Sequence, residues 1–344
     1  MIAGGLVGAL TLCLQYVFAL NSMWAPYALA FTFSMLGLNT IYSSMLGWNS
    51  DLVPPEQVGA SNGVQAVLNV MGAMSGMGVF LWSGGNLLAV YGYFVSLVTG
   101  TIAITAAHVR EEPQEPRRGQ DRRMFPRITR SQLKESYTLD PNLHSDFYLV
   151  TVSRTFYYMG ISSQTFFLYY LRDFVGISNP ATGVTALTVF AQVGAALAAF
   201  PVGSFSDWTG LGRKPFIYLS CLTLALGNAC FAATKTLRAA VLVAGVVGIG
   251  NGGYLAMDSA LAVDTIPDKD LAARFLGIWG VASFIGTALG PLVGGPVLYL
   301  VGEGRERGER GMEGFGDNGY RALLAMSVCY FGIAARVLRN VKAR

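Results

Sequence analysis

Ten apolar runs lie along the chain at roughly 2–20, 24–46, 62–83, 86–107, 147–171, 182–203, 216–233, 238–262, 274–300 and 319–338. A helix needs about 20 apolar residues to cross a bilayer, and each run comes near that length. The pattern predicts an all-α, polytopic membrane protein of about ten transmembrane helices joined mostly by short polar turns. The first run has no basic stretch before it and is nearly bilayer-length, so it reads as a spanning helix and not as a cleaved leader.

Composition agrees with this reading and charge orients it. Of 344 residues, 53% are hydrophobic and 13% charged, with a mean hydropathy of +0.46, well outside the range of soluble domains. With residue 1 placed at the cytoplasm and the helices alternating, the inner segments hold 16 Lys and Arg and the outer ones seven. Basic residues favour the cytoplasmic side, so both chain ends are expected there. Which membrane is crossed is not encoded. Eight of the basic residues fall between Arg110 and Lys134, beside Pro113, Pro116 and Pro126. That stretch reads as a solvated cytoplasmic linker, 108–146, separating a four-helix part at 1–107 from a six-helix part at 147–344. The net charge of +4 therefore reports loop orientation and gives no ground for nucleic-acid binding.

Between the sixth and seventh runs lies Gly203-Ser-Phe-Ser-Asp207-Trp-Thr-Gly210-Leu-Gly212-Arg213-Lys214-Pro215. A connection this short makes its flanking helices antiparallel, and Arg213 with Lys214 marks the cytoplasmic side. The Gly203-to-Asp207 spacing and the Gly-Arg-Lys close resemble the loop signature of the major facilitator superfamily, with two extra residues, Leu211 and Gly212, before the basic pair. The resemblance implies a two-half helical bundle and a gating loop of Gly203, Asp207, Gly210, Arg213 and Lys214. In it Asp207 would accept hydrogen bonds from the free N–H groups of a helix start near Gly59 to Gly63.

An internal repeat runs through both parts. Gly63, Gly72 and Gly76 precede Gly277, Gly286 and Gly290 by 214 residues, and Asp51 and Pro54 precede Asp264 and Pro267 by 213. Each copy is an Asp-x-x-Pro loop leading into a glycine-faced helix, as expected of parallel six-helix repeats. By this offset the counterparts of 147–171 and 182–203 would lie before Met1. Against the superfamily's order the ten helices are the third to the twelfth, and a truncated gene model is the expected reason, ahead of a shortened isoform or a degenerate member. Gly286-Thr-Ala-Leu-Gly290-Pro291-Leu-Val-Gly294-Gly295 resembles the superfamily's antiporter motif but sits in the wrong helix for it. Tight packing of a kinked helix explains it sufficiently. Gln164-Thr-Phe-Phe-Leu-Tyr-Tyr-Leu-Arg172-Asp173 weakly resembles glycoside and cation symporters.

Charged side chains inside spanning helices cost about 2.5–3.5 kcal/mol on insertion scales and so face a partner or a cavity. Arg154 and Asp258 each lie roughly 10 Å from the inner end of their helices, which lets them meet. Such a pair either fixes helix packing or takes part in solute or proton movement. Polar stripes at helical spacing share these elements: Arg154, Tyr158, Ser162 and Thr165; Thr185, Thr188 and Gln192; Asn251, Tyr254 and Asp258. Asn39 with Ser43, and Asn62, Gln65 and Asn69, repeat the pattern earlier in the chain. Such groups suit a neutral polar solute such as a sugar, and equally suit hydrogen bonds between helices.

Nothing points to an enzyme. There is no Ser/His/Asp set and no phosphate loop; His108 and His144 flank the linker; Cys13, Cys221, Cys230 and Cys329 lie in apolar runs without a CxxC pair. No cofactor or metal is expected. The expectation is a monomeric secondary transporter moving a small polar solute, with a sugar or glycoside favoured and a proton or other cation as co-solute. Its pathway would include Arg154, Tyr158, Gln192, Asn251, Tyr254 and Asp258. The alternative is a non-transporting sensor or inactive remnant on the same scaffold.

Overall fold

The computed structural model describes residues 1–54, 57–108, 129, 138–141, 143–268, 271–302 and 314–342. The charged part of the expected linker, 109–128 and 130–137, and most of the loop after Gly302 lie outside these residues. Among those described there is no strand. The described residues form ten long helices in succession: α1 (Ile2–Leu20), α2 (Trp24–Leu52), α3 (Val58–Trp82), α4 (Leu87–His108), α5 (Ser145–Ile161), α6 (Pro180–Thr209), α7 (Lys214–Phe231), α8 (Leu237–Asp264), α9 (Ala272–Gly302) and α10 (Asp317–Leu338).

Eight of them are long and apolar enough to cross a membrane by length and composition. The two outside that set are α2 and α5. In α2 the length suffices but Asn39, Thr40, Ser43 and Ser44 dilute the apolar sequence. Regular α5 stops after 17 residues and goes on as a 3-10 turn at Ser162–Phe166, a single α turn at Phe167–Tyr169 and a π turn at Tyr170–Phe174. The break has a local cause. Ser162 Oγ donates to Met159 O (2.8 Å) and Ser163 Oγ to Gly160 O (2.9 Å), and hydroxyls that bond back to the preceding turn bend helices.

The chain divides into two compact units. One comprises Met1–Trp48 and Gly72–Thr138. Here α1 and α2 cross where Gly4 and Gly8 face Gly37, so closely that a methyl on Gly37 would meet the backbone of α1. Gly5 accommodates Ile102 of α4, the Tyr27 and Tyr91 hydroxyls share a hydrogen bond (3.1 Å), and Tyr93 donates to Ser75 Oγ (2.7 Å). Asn39 returns its amide to Met35 O of its own helix.

The other unit comprises Asn49–Met71 and Leu139–Arg344, so it holds the first part of α3 together with α5 to α10. Its helices start and stop on local signals. Asn179 caps α6 by accepting from Thr182 N–H, with Pro180 at the first helical position, and Thr236 caps α8 by accepting from Ala239 N–H. Gly210 ends α6 in the left-handed conformation (φ +63°), which glycine adopts without strain. Small residues then set the packing. Gly248 and Gly252 of α8 lie against the backbone at Ala191 and Ala195 of α6, while Gly286 and Gly290 of α9 lie against Thr155, Met159 and Ser162 at the end of α5. Pro291 and Pro296 fall within α9, just beyond that contact. The close approach puts α5, α8 and α9 around one buried cluster of polar and aromatic side chains.

Candidate functional site

The cluster is centred on Arg154 of α5 and Asp258 of α8, both almost wholly buried (5% and 3% side-chain exposure). Arg154 Nη1 donates to Asp258 Oδ2. On its other sides the guanidinium covers the indole of Trp279 from α9, 3.4 Å from the ring centroid, and stands 4.8 Å from the centroid of the Tyr158 ring. Nη2 donates to the Tyr158 hydroxyl (3.3 Å). A cation over aromatic faces in a desolvated setting gains about 2 kcal/mol, so groups from three helices stabilise this buried charge. The Tyr254 hydroxyl and the Trp279 indole N–H are buried and, among the described residues, make no hydrogen bond.

Tyr157 extends the cluster. Its ring stacks on Tyr254 with centroids 3.6 Å apart and planes 3° from parallel, and its hydroxyl donates to Asn251 Oδ1. Arg154, Tyr158, Asn251, Tyr254 and Asp258 therefore form one connected group. Gln192 stands apart from the ion pair. It lines a cavity of about 180 Å³ together with Gln164, Thr188, Asn251, Phe167 and Phe231. Asn251 thus belongs to both the cavity and the cluster. Of the other members of the polar stripes, Ser162 bonds its own helix and packs on Gly290, Thr185 donates to Ala181 O, and Thr188 lines the cavity while its hydroxyl donates to Val184 O.

Sequence reading missed Trp279 and Tyr157. Trp279 is distant in the chain and lies in a mostly apolar, glycine-rich run, with only Ser283 polar one turn away. Tyr157 is adjacent to Tyr158, and two residues one apart on a helix point about 100° from each other, so a stripe through Tyr158 passes it by.

A second polar site forms where α6 turns into α7. The helix runs six residues past the expected end at 203, so Asp207 sits in its last turn and the true turn spans Gly210 to Arg213. Arg213 is buried. It donates to Asp207 Oδ1, to Ser206 Oγ (3.1 Å) and, through Nε, to Asp264 Oδ2 (3.2 Å). The second Asp207 oxygen accepts from the N–H of Ala60, 2.9 Å away in the first turn of α3, a donor with no partner inside its own helix. Gly63, one turn further, lies against the backbone of α6 at Ala199 and Phe200. Gly203 is buried one turn before Asp207, and Lys214 Nζ donates to Val341 O near the chain end. Asp264, one of the repeated aspartates, was not anticipated here, since only folding brings the end of α8 beside this turn.

Among the described residues no group of His, Cys, Asp and Glu could hold a metal ion, and the four cysteines are free.

Comparison with known proteins gives a consistent picture. Residues 150–335 match the model of the Major Facilitator Superfamily. Curated relatives include MFS transporter L2 of Phoma sp., 31% identical over 100 residues (29% of this chain, 16% of that protein). Another is the MFS efflux transporter aclA of Aspergillus oryzae, 37% identical over 100 residues (28% and 17%). The matched segments span less than a fifth of the length of these relatives. Similar solved structures include the transporter FucP in its outward conformation (TM-score 0.70, 14% identity, 100% of this chain and 82% of that one). The human organic anion transporter MFSD10 is also similar (TM-score 0.72, 12% identity, 97% and 76%). At such identities the likeness is one of fold.

Proposed function

Because the chain belongs to the Major Facilitator Superfamily, we propose that it serves as a secondary transporter, moving a small polar solute by alternating access between two halves, 1–107 and 147–344, about the 108–146 linker. The solute is a sugar or glycoside, a proton is the co-solute, both chain ends face the cytoplasm, and the working unit is a monomer. The observation that carries this reading is the buried Arg154–Asp258 pair, bordered by Tyr158, Tyr254 and Asn251 and linked to a cavity bearing Gln192. A buried ion pair is a poor device for stability alone, since apolar replacements often hold a core as well or better. A carboxylate whose cationic partner can be drawn away is a means of taking up a proton during a conformational change.

Gating falls to the second site. Asp207 joins the first turn of α3 to Arg213, and Arg213 ties Asp207 to Asp264 at the end of α8. Contacts made of a few charge-assisted hydrogen bonds can be remade as a unit, as a gate requires.

The test is solute flux in vesicles containing the full chain, with a pH gradient of either sign and with both entry and exit followed. Asp258→Asn keeps the shape of the carboxyl and removes its titration. The expected result is flux that no longer responds to the gradient. Gradient-driven flux unchanged in Asp258→Asn removes the proton role. An absence of flux in the wild-type chain for any neutral polyol favours the non-transporting reading, in which the pair only locks α5 to α8.

A further inference from the structure

The chain stays coiled where α10 ends. Arg339, Asn340 and Val341 donate their N–H groups to the carbonyls three residues back (3.2, 3.3 and 3.2 Å), so the winding tightens and residues three apart come to share a side. Leu338 and Val341 face inward, 2% and 3% exposed, while Arg336, Arg339 and Lys342 are exposed. Two contacts clip this segment to its neighbours. The Lys342 N–H donates to both carboxylate oxygens of Asp146 in the first turn of α5 (3.1 Å each), and Lys214 Nζ, at the start of α7, donates to Val341 O. Lys214 therefore stands beside the other three basic residues. Among the described residues the side chains of Arg336, Arg339 and Lys342 make no ion pair, and the Lys214 ammonium bonds only that neutral carbonyl. The dipole of a helix C-terminus offsets only about half an elementary charge, so most of this positive charge stands uncompensated. Above it the surface turns apolar. Lys214, Tyr218, Leu222 and Leu226 recur every four residues as one ridge of α7, and Leu222 and Leu226 are 55% and 57% exposed. Ile333 of α10, three residues before Arg336, is exposed as well.

We infer that the edge shared by the start of α7 and the end of α10 is a docking surface for an anionic phospholipid, whose phosphate sits among Arg336, Arg339, Lys342 and Lys214 and whose acyl chains lie along Leu222 and Leu226. The occupant follows from the order of the two chemistries. Cations alone suit any soluble anion, and exposed leucines alone suit any lipid. Cations at the foot of a leucine ridge suit an amphiphile with a negative head and an apolar tail. The planar forks of two arginines match phosphate oxygens, and a zwitterionic headgroup brings a cation of its own that this edge repels. Occupancy has a structural consequence. By neutralising the like charges of Arg336, Arg339 and Lys342, the lipid steadies the segment that ties α10 to Asp146 of α5 and Lys214 of α7. On the topology proposed above, this edge meets the cytoplasmic leaflet, whose negative surface attracts basic residues. The binding itself is independent of the solute, the proton and the gate.

The experiment uses the delipidated full chain in detergent. Dioleoyl-phosphatidylserine is the probe, dioleoyl-phosphatidylcholine is the zwitterionic control, and soluble glycerophosphoserine is the control without acyl chains. Bound molecules are counted by native mass spectrometry, and the melting temperature is read in parallel. The expected result is phosphatidylserine held at least about tenfold more tightly than phosphatidylcholine, with a melting temperature that rises with its concentration. Glycerophosphoserine should do neither at the same concentrations. A basic residue near a negative surface contributes about fivefold, so Arg336→Gln with Arg339→Gln should weaken phosphatidylserine binding about twenty-five-fold and leave phosphatidylcholine unchanged. Arg238→Gln with Arg321→Gln removes the same charge from exposed positions in the first turns of α8 and α10 and should leave phosphatidylserine binding within about twofold. Leu222→Asn with Leu226→Asn keeps every cation and should also weaken phosphatidylserine. All six side chains are exposed, so these changes spare the core. Equal binding of the two phospholipids overturns the inference, as do equal losses from the two arginine pairs, which would mean attraction to net charge without a site. Glycerophosphoserine bound as tightly as the lipid assigns the edge to a soluble phosphate and removes the lipid.

Discussion

Arg154 is held by groups from three helices: Asp258 by charge, Trp279 by its ring face, Tyr158 by ring and hydroxyl. Two consequences for substitution follow. Removing only the cation, as in Arg154→Leu, strands a carboxylate in a dry interior, which costs about 3–5 kcal/mol. Removing both charges in Arg154→Leu with Asp258→Leu eliminates that penalty. Thermal unfolding of the detergent-solubilised chain should therefore show a large loss for the single variant and recovery of most of it in the double one. A double variant no more stable than the single would mean that the pair contributes net stability, and the argument that it is retained for motion would lose its basis. That these two residues meet was within reach of sequence reading, because a charge in an apolar run demands a partner and only two such charges lie at matching depth. Which aromatic rings surround them was not, because Trp279 carries no mark in the sequence that separates it from an exposed tryptophan such as Trp208.

At the scale of elements, glycine placement decides how closely helices approach. Gly248 and Gly252 of α8 abut the α6 backbone, where a methyl would collide with the carbonyls of Ala191 and Ala195. Backbone cannot yield as a side-chain tip can. Gly248→Ala should therefore force α6 and α8 apart at a cost of about 1–3 kcal/mol, measurable as a fall in melting temperature. Gly245, in the same helix, has only Phe190 O at 3.9 Å from the position of an added methyl. Gly245→Ala should stay within about 0.5 kcal/mol of the parent. Equal effects at the two positions would show that this packing does not govern the stability of the unit. The sequence displays both glycines alike, since a one-turn shift of register between neighbouring helices would exchange their roles. The break of α5 after Ile161 belongs at this scale too. Hydroxyls at Ser162 and Ser163 bond backward there, and Ser162 was read as part of a polar stripe.

For the molecule as a whole, the turn between α6 and α7 matters most, because its carboxylate reaches the start of a helix far away in the chain. Asp207→Ala removes the acceptor for Ala60 N–H and a partner of Arg213 together. Amide exchange at Ala60 should accelerate about tenfold or more, the loss of one charge-assisted hydrogen bond, while amides deep in α8 keep their rates. Unchanged protection at Ala60 would show that the Asp207 contact does not hold the start of α3, and the gate would need another latch. What the sequence alone determined is the class of the fold. Apolar length, glycine-faced helices, buried charges and the Gly203–Asp207–Arg213 pattern are local properties, and in a bilayer every backbone polar group must be satisfied within its own helix, so local sequence is enough to declare helices. Only the tertiary structure decided that Arg213 also takes Asp264, that Tyr157 joins Asn251 to the ion pair, and that Gln164 shares a cavity with Gln192. These outcomes depend on the rotation and register of one helix against another. Such register is set by many small contacts summed over a whole face, none of which can be read from its own stretch of chain.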